Sequence, residues 1–215
     1  MKTFKSVLVS LAAMWLIAGC SVSDLGEVVI ICSIRSDGVR GCGTAFPVDE
    51  DAESTVFMTT AHIFDPENWE EAESWIESSV YGRIDIDMVY MNFDSDIAIG
   101  LVKGDYEFFP YTVCEKIMLL EPVTVYSAMP EVEEHHGHVI SPKYTVIGIP
   151  DKVVRISTST RHGNSGSPIV ADIPQCVVGM LHGDIKNRAG DVGVRYNKLR
   201  AAVNGIQNRR ERDSI

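Results

Sequence analysis

Arg161-His162-Gly163-Asn164-Ser165-Gly166-Ser167-Pro168-Ile169-Val170 sets a serine between two glycines and ends in a β-prone pair. Glycine reaches backbone conformations closed to residues with a Cβ. Gly163 and Gly166 therefore permit a tight loop that aims the amides of Gly163 and Ser165 at one point. Two convergent N–H groups are what a developing oxyanion needs in acyl transfer, and the Ser165 hydroxyl would stand beside them. Taken alone, the decapeptide also reads as a glycine-serine turn between two strands. The rest of the chain decides between the two readings.

A serine nucleophile needs a base, and the base needs a carboxylate to orient it. The chain holds six histidines. His62 ends the strand-like run Val56–Thr60 and follows Thr59-Thr60-Ala61. His162 adjoins the serine loop. His182 follows the apolar run Cys176–Met180, where it would line a cleft. His135, His136 and His138 share the polar segment Glu131–His138, which reads as a solvated loop with no zinc-ligand spacing to support it. For the carboxylate, Asp96 stands at the mouth of the apolar run Ile97–Val102, with Asp94 a rival two residues earlier. Either also reads as a plain turn residue.

The surroundings are β-rich. Glu27–Arg35, Arg40–Val48, Val56–Thr60, Tyr81–Asn92, Ile97–Val102, Ile117–Ala128, Val139–Ile149, Val153–Thr158 and Cys176–Met180 carry strand patterns, with turn signals between them. Gly41 and Gly43 mark a bulge or close approach in the second of these. Asp65-Pro66-Glu67 reads as a helix start, making 65–77 a short surface helix or insertion. Leu199, Ala202, Val203 and Ile206 recur at helical spacing, so Val194–Ile206 reads as a C-terminal helix. The class is all-β, barrel or sandwich, with one terminal helix.

His62, Asp96 and Ser165 occur in the order His, Asp, Ser, each at a strand boundary. Around them stand Gly43-Thr44-Ala45-Phe46, Thr59-Thr60-Ala61-His62, Asp96-Ile97-Ala98-Ile99, Gly163-Asn164-Ser165-Gly166-Ser167-Pro168 and Val177-Val178-Gly179-Met180. These pieces resemble the trypsin/chymotrypsin-fold serine proteases over about Val28 to Ile206, and the serine motif is most similar to the bacterial glutamyl-endopeptidase branch. The resemblance implies two six-stranded antiparallel β-barrels, about 27–108 and 109–206, with the cleft between them. It implies His62 as base, Asp96 as its orienting group, Ser165 as nucleophile, and Gly163 and Ser165 amides as the oxyanion hole. Asn164 stands where animal members carry the aspartate that receives a new N-terminus, so that activation switch is not expected. By position, Ser159, Thr160, Leu181 and His182 would wall the specificity pocket. The glutamyl branch has a histidine at the Leu181 position, so Leu181 points to an uncharged side chain before the scissile bond. No cofactor and no metal are expected, and the substrate is a protein or peptide.

The chain begins as an exported protein does. Lys2 and Lys5 precede the apolar run Val7–Ala18, shorter than the roughly 20 residues a membrane span requires. Ile17-Ala18-Gly19-Cys20 resembles the box of bacterial lipoprotein signals. The resemblance implies cleavage after residue 19, lipid on Cys20 and, with Ser21 following, outer-membrane delivery facing the periplasm in a Gram-negative envelope. Ordinary cleavage nearby or an uncleaved anchor are the alternatives. Ser21–Gly26 then forms a tether of about 20 Å at full extension, and 27–215 the protease domain. Export permits disulfides among Cys32, Cys42, Cys114 and Cys176. Cys32 and Cys42 flank the turn signal Ser36-Asp37-Gly38, which leaves Cys114 and Cys176 as a pair or as buried thiols. The formal net charge of -11 argues against a nucleic-acid surface.

Overall fold

Runs rich in β-branched and aromatic residues build both halves of the molecule, and several, such as Ser54–Thr59 and Pro168–Ala171, are buried on both faces. The computed structural model of the chain describes residues 27–35, 38–50, 53–129, 131–146, 153–184 and 190–213. The lipid-box residues, Cys20, the tether, and Ser36 and Asp37 of the proposed turn lie outside the described residues.

The N-terminal half comprises β1 (Val29–Ile34), β2 (Arg40–Glu50), β3 (Ser54–Thr59), β4 (Ser74–Ser78), β5 (Gly82–Asp85), β6 (Asp87–Asn92) and β7 (Ile97–Lys103). They form one seven-stranded sheet in the order β5-β4-β1-β2-β3-β7-β6. The long strand β2 serves both sides: Arg40–Ala45 pair with β1, and Phe46–Glu50 pair with β3. Val29, Ile31, Phe57, Ile76 and Ala98 fill the core of this half. Phe57 meets Phe108 edge-on at 4.9 Å between ring centroids.

The C-terminal half comprises β8 (Pro122–Ser127), β9 (Glu133–Tyr144), β10 (Val153–Ile156), β11 (Pro168–Ala171), β12 (Cys176–Asp184) and β13 (Asp191–Arg195). These six close into a barrel in the order β10-β13-β12-β11-β8-β9. A third apolar cluster joins the halves. It packs Phe46, Met58 and Ile99 of the sheet against Val177, Met180 and Val194 of the barrel. The helix α1 (Tyr196–Asp213) buries Leu199, Val203 and Ile206 in the same cluster, as their spacing predicts.

The all-β class with a terminal helix is therefore what the chain adopts. The second half is the six-stranded barrel expected, while the first carries seven strands in an open order. Disulfides link Cys32 to Cys42, directly opposed across β1 and β2, and Cys114 to Cys176. Two local expectations are corrected. Residues 66–72 form successive turns and no helix; β4 follows, where Trp75 is buried in the sheet and the Arg83 guanidinium lies 4.1 Å from its ring. The polar segment 131–138 is largely the start of β9, fully paired with β8 from Glu133 to His138. The pairing satisfies its backbone while its side chains alternate between half-buried and exposed positions.

Candidate active site

The serine loop is held by the other half of the molecule. The Thr44 amide on β2 donates to the Ser165 carbonyl at 2.8 Å, and the Thr44 hydroxyl donates to the Gly163 carbonyl at 3.3 Å. The Thr44 carbonyl in turn accepts the Thr59 hydroxyl at 2.7 Å. This approach is so close that a Cβ on Gly166 would lie 2.0 Å from the Thr44 oxygen and 2.5 Å from Thr59 Oγ1, and Gly166 has φ +88°. Neither Thr44 nor Thr59 stood out as a supporting residue in the sequence. The only hint was their place in the runs that resemble protease motifs.

Within the loop, the Asn164 amide donates to the Arg161 carbonyl at 3.1 Å. Gly163, third residue of that turn, has φ +97°, as a type II turn requires. The Asn164 side chain is fully buried, and its Oδ1 accepts the Arg161 amide at 2.9 Å. The loop is thus tied from both ends. Among the described residues neither the Gly163 nor the Ser165 amide donates to a backbone acceptor.

His62 sits in a single 3₁₀ turn, Ala61–Ile63, directly after β3. Asp96 precedes β7, which pairs with β3 along its length. That pairing brings the two together: Nδ1 of His62 lies 2.9 Å from Oδ2 of Asp96, and the His62 amide donates to Oδ1 at 2.9 Å. Asp96 takes φ +55°, a backbone conformation rare outside glycine, held here by its surroundings. Asp94 is exposed and lines a different cavity, beneath α1.

A second imidazole reaches the same carboxylate. His182 Nδ1 is hydrogen-bonded to Oδ2 of Asp96. The cause is a β-bulge: on β12, Leu181 pairs with Gly193 and Gly183 with Val192, leaving His182 as the extra residue. A bulge of this kind re-aims a side chain. The two rings meet edge-on at 5.3 Å. Burial alone would raise the Asp96 carboxyl, but the hydrogen bonds from His182 and His62 outweigh it and hold the group at about 2, below the ordinary 3.8. An ionised Asp96 accepts only, so each ring donates to it through Nδ1, and a ring that is neutral keeps its lone pair on Nε2. His62 is then equipped as a base.

His62, Thr160, Arg161, His162, Ser165, His182 and Gly183 line one cavity of about 420 Å³. The Ser165 hydroxyl is turned to the His182 carbonyl, to which it donates at 3.3 Å. Such contacts in an empty site commonly realign when substrate binds.

The four residues expected in the specificity pocket separate. Thr160 and His182 line the cavity. Ser159 is exposed and lines a neighbouring one with Glu133, Glu134 and His135. Leu181 does not line the cavity as a pocket wall would: it is fully buried in the barrel core with Ile169 and Val178. The Asp191 carboxylate, unremarked in the sequence, accepts the Thr158 hydroxyl at 2.7 Å and the Thr160 amide at 3.0 Å, and so sets the 158–160 wall. Among the remaining histidines, His135 and His136 are neighbours on a strand and pair separately with Glu133 and Glu134.

No family model matches this chain. No curated protein matches it either. Solved structures do. The active form of the Rv3671c protease from M. tuberculosis superposes with a TM-score of 0.67 at 18% identity, covering 81% of this chain and 78% of that one. The inactive serine-to-alanine mutant of Rv3671c from M. tuberculosis H37Rv superposes with a TM-score of 0.64 at 17% identity, covering 84% of this chain and 87% of that one. The chain thus has the fold of these trypsin-like serine proteases.

Proposed function

We propose that this protein is a serine endopeptidase that hydrolyses peptide bonds through an acyl-enzyme on Ser165. The observation that carries the reading is His62, paired with Asp96 at 2.9 Å and lining the same cavity as Ser165 on a protease fold. His62 Nε2 takes the Ser165 proton as Oγ attacks the carbonyl and returns it to the leaving amine. Asp96 keeps the proton on Nδ1 and stabilises the imidazolium. The Gly163 and Ser165 amides receive the oxyanion, a contribution of about 3 kcal/mol for a single donor. Thr160 and His182 wall the subsite for the side chain before the scissile bond. Leu181 is buried and does not line that subsite, so it does not set an uncharged preference there.

The reading extends to location. The Ile17-Ala18-Gly19-Cys20 box supports export with lipid on Cys20 and an envelope protease held close to a bilayer by a short tether. Metabolic labelling with a clickable palmitate analogue, on the intact chain and on Cys20→Ala, tests this part.

A second reading has one observation in its favour. The Ser165 hydroxyl is bonded to the His182 carbonyl and not to the His62 ring, as in a fold kept for binding alone. A fluorophosphonate probe separates the two. An endopeptidase is labelled, and Ser165→Ala abolishes the label. A folded wild-type protein that resists labelling is the binding module.

A further inference from the structure

Asp96 is shared. A ring nitrogen of His62, a ring nitrogen of His182 and a carboxylate oxygen of Asp96 all lie within 4.8 Å of one another, and both Nδ1 atoms are hydrogen-bonded to Asp96 Oδ2. The three come from separate parts of the chain: the turn after β3, the residue before β7, and the bulge of β12. Two imidazoles and a carboxylate with an open fourth position are the donor set of catalytic zinc sites. Imidazole nitrogens favour zinc and copper over magnesium and calcium. The side chains of His62 and His182 are 43% and 32% exposed, and both line the cavity. The carboxylate is already held in place by the His62 amide, 2.9 Å from Oδ1.

We propose that His62, Asp96 and His182 form an inhibitory site for a divalent transition metal, with zinc the best fit. The ion replaces the two Nδ1–H donors on Asp96. Zinc–nitrogen bonds of about 2.0–2.1 Å place the ligands roughly 3.3 Å apart, close to the 2.9 Å that now separates His62 Nδ1 from Asp96 Oδ2. In the metal-free state each neutral ring carries its proton on Nδ1 and a lone pair on Nε2. Coordination through Nδ1 moves each proton to Nε2, and none is released. Nε2 of His62 then bears hydrogen and cannot accept the Ser165 proton. The ion therefore disables the base by fixing the wrong tautomer. A serine at position 182 would leave the His62–Asp96 pair intact and offer no such third ligand. The bulge that turns His182 inward is what creates the site.

The inhibitory consequence rests on the endopeptidase reading, but the binding does not. The test uses the purified full-length chain with cobalt(II) as a spectroscopic stand-in, zinc(II) by calorimetry, and fluorophosphonate labelling as the functional readout. Cobalt should give visible d–d bands of a four-coordinate site at one equivalent, and zinc should displace it. In His182→Ala and His182→Gln, metal affinity should fall at least about 10-fold. Zinc should slow labelling of the wild-type protein by about 100-fold, the scale of a lost general base, and a chelator should restore it. In the variants the ratio of rates with and without zinc should approach one. Absent cobalt bands and zinc heat on the wild-type chain overturn the proposal, as does unchanged binding in folded His182→Gln. A chain that binds cobalt through His182 but is never labelled, even metal-free, keeps the site and sinks the endopeptidase reading instead.

Discussion

His62 Nδ1 and Asp96 Oδ2 lie 2.9 Å apart, and the Asp96 side chain is only 10% exposed. Placing a carboxylate there costs desolvation, and the chain offsets it with three donors: His62 Nδ1, the His62 amide and His182 Nδ1. A buried carboxylate at the end of a strand, with φ +55°, is held by the site and not by its own preference.

The Asp96 carboxyl is depressed in the folded protein, from 3.8 to about 2. It therefore contributes stability that is fully present above about pH 4 and is lost as pH falls through about 2. The contribution is about 2 kcal/mol. Asp96→Asn should remove this term. Denaturant unfolding from pH 6 down to pH 2 should show the stability gap between wild type and Asp96→Asn narrowing by about that amount. At neutral pH the same variant should lower turnover by about 10⁴-fold, since an amide accepts poorly from Nδ1–H and favours the wrong tautomer. A pH-independent gap would mean that Asp96 is not held as the hydrogen bonds require.

The serine loop depends on Gly166 for a different reason. Its φ of +88° disfavours any side chain, and a Cβ there would strike the backbone oxygen of Thr44. Gly166→Ala should cost about 3 kcal/mol or more and abolish fluorophosphonate labelling, because Ser165 cannot stay seated against β2. Gly38 provides the control. It too has positive φ, +77°, but nothing lies within 4 Å of its added Cβ. Gly38→Ala should cost only about 1 kcal/mol and leave labelling unchanged. Urea midpoints for both variants decide whether the crowding at Thr44, and not the dihedral alone, is what Gly166 relieves.

Much of this was legible in the sequence, for local reasons. The glycine-flanked Ser165 and the apolar runs that become β1, β2, β3, β7 and β12 announce themselves through short-range pattern. His62 and Asp96 were legible because each stands at the boundary of such a run. Segments whose character depends on distant partners were not. Residues 65–72 are mostly polar and begin with Asp65-Pro66, a helix-start pattern, yet the chain runs through turns into β4. The start of β9 carries histidines and glutamates that read as solvated, because both of its faces are only partly covered. His182 was legible as a residue near the cleft, but its bond to Asp96 depends on one extra residue in the register of β12 against β13. No periodicity in a single strand reports that offset.

Leu181 and Thr160 test the corrected pocket. Leu181 is fully buried among Ile169, Val178 and Val125, so Leu181→Ala removes apolar volume from the barrel and leaves a cavity. It should destabilise the protein by about 2–5 kcal/mol while leaving residue preference in a peptide library unchanged. Thr160 faces the cavity beside Ser165, and its amide, not its hydroxyl, is held by Asp191 at 3.0 Å. Thr160→Val keeps that backbone bond and the side-chain shape but removes a hydroxyl from the wall. It should shift residue preference, with a change in denaturation midpoint smaller than that of Leu181→Ala. Had Leu181 been a wall of the pocket, its truncation would enlarge the subsite and admit bulkier side chains. Library cleavage by the two variants, run beside unfolding curves, assigns each residue to the core or to the subsite by which measurement it moves.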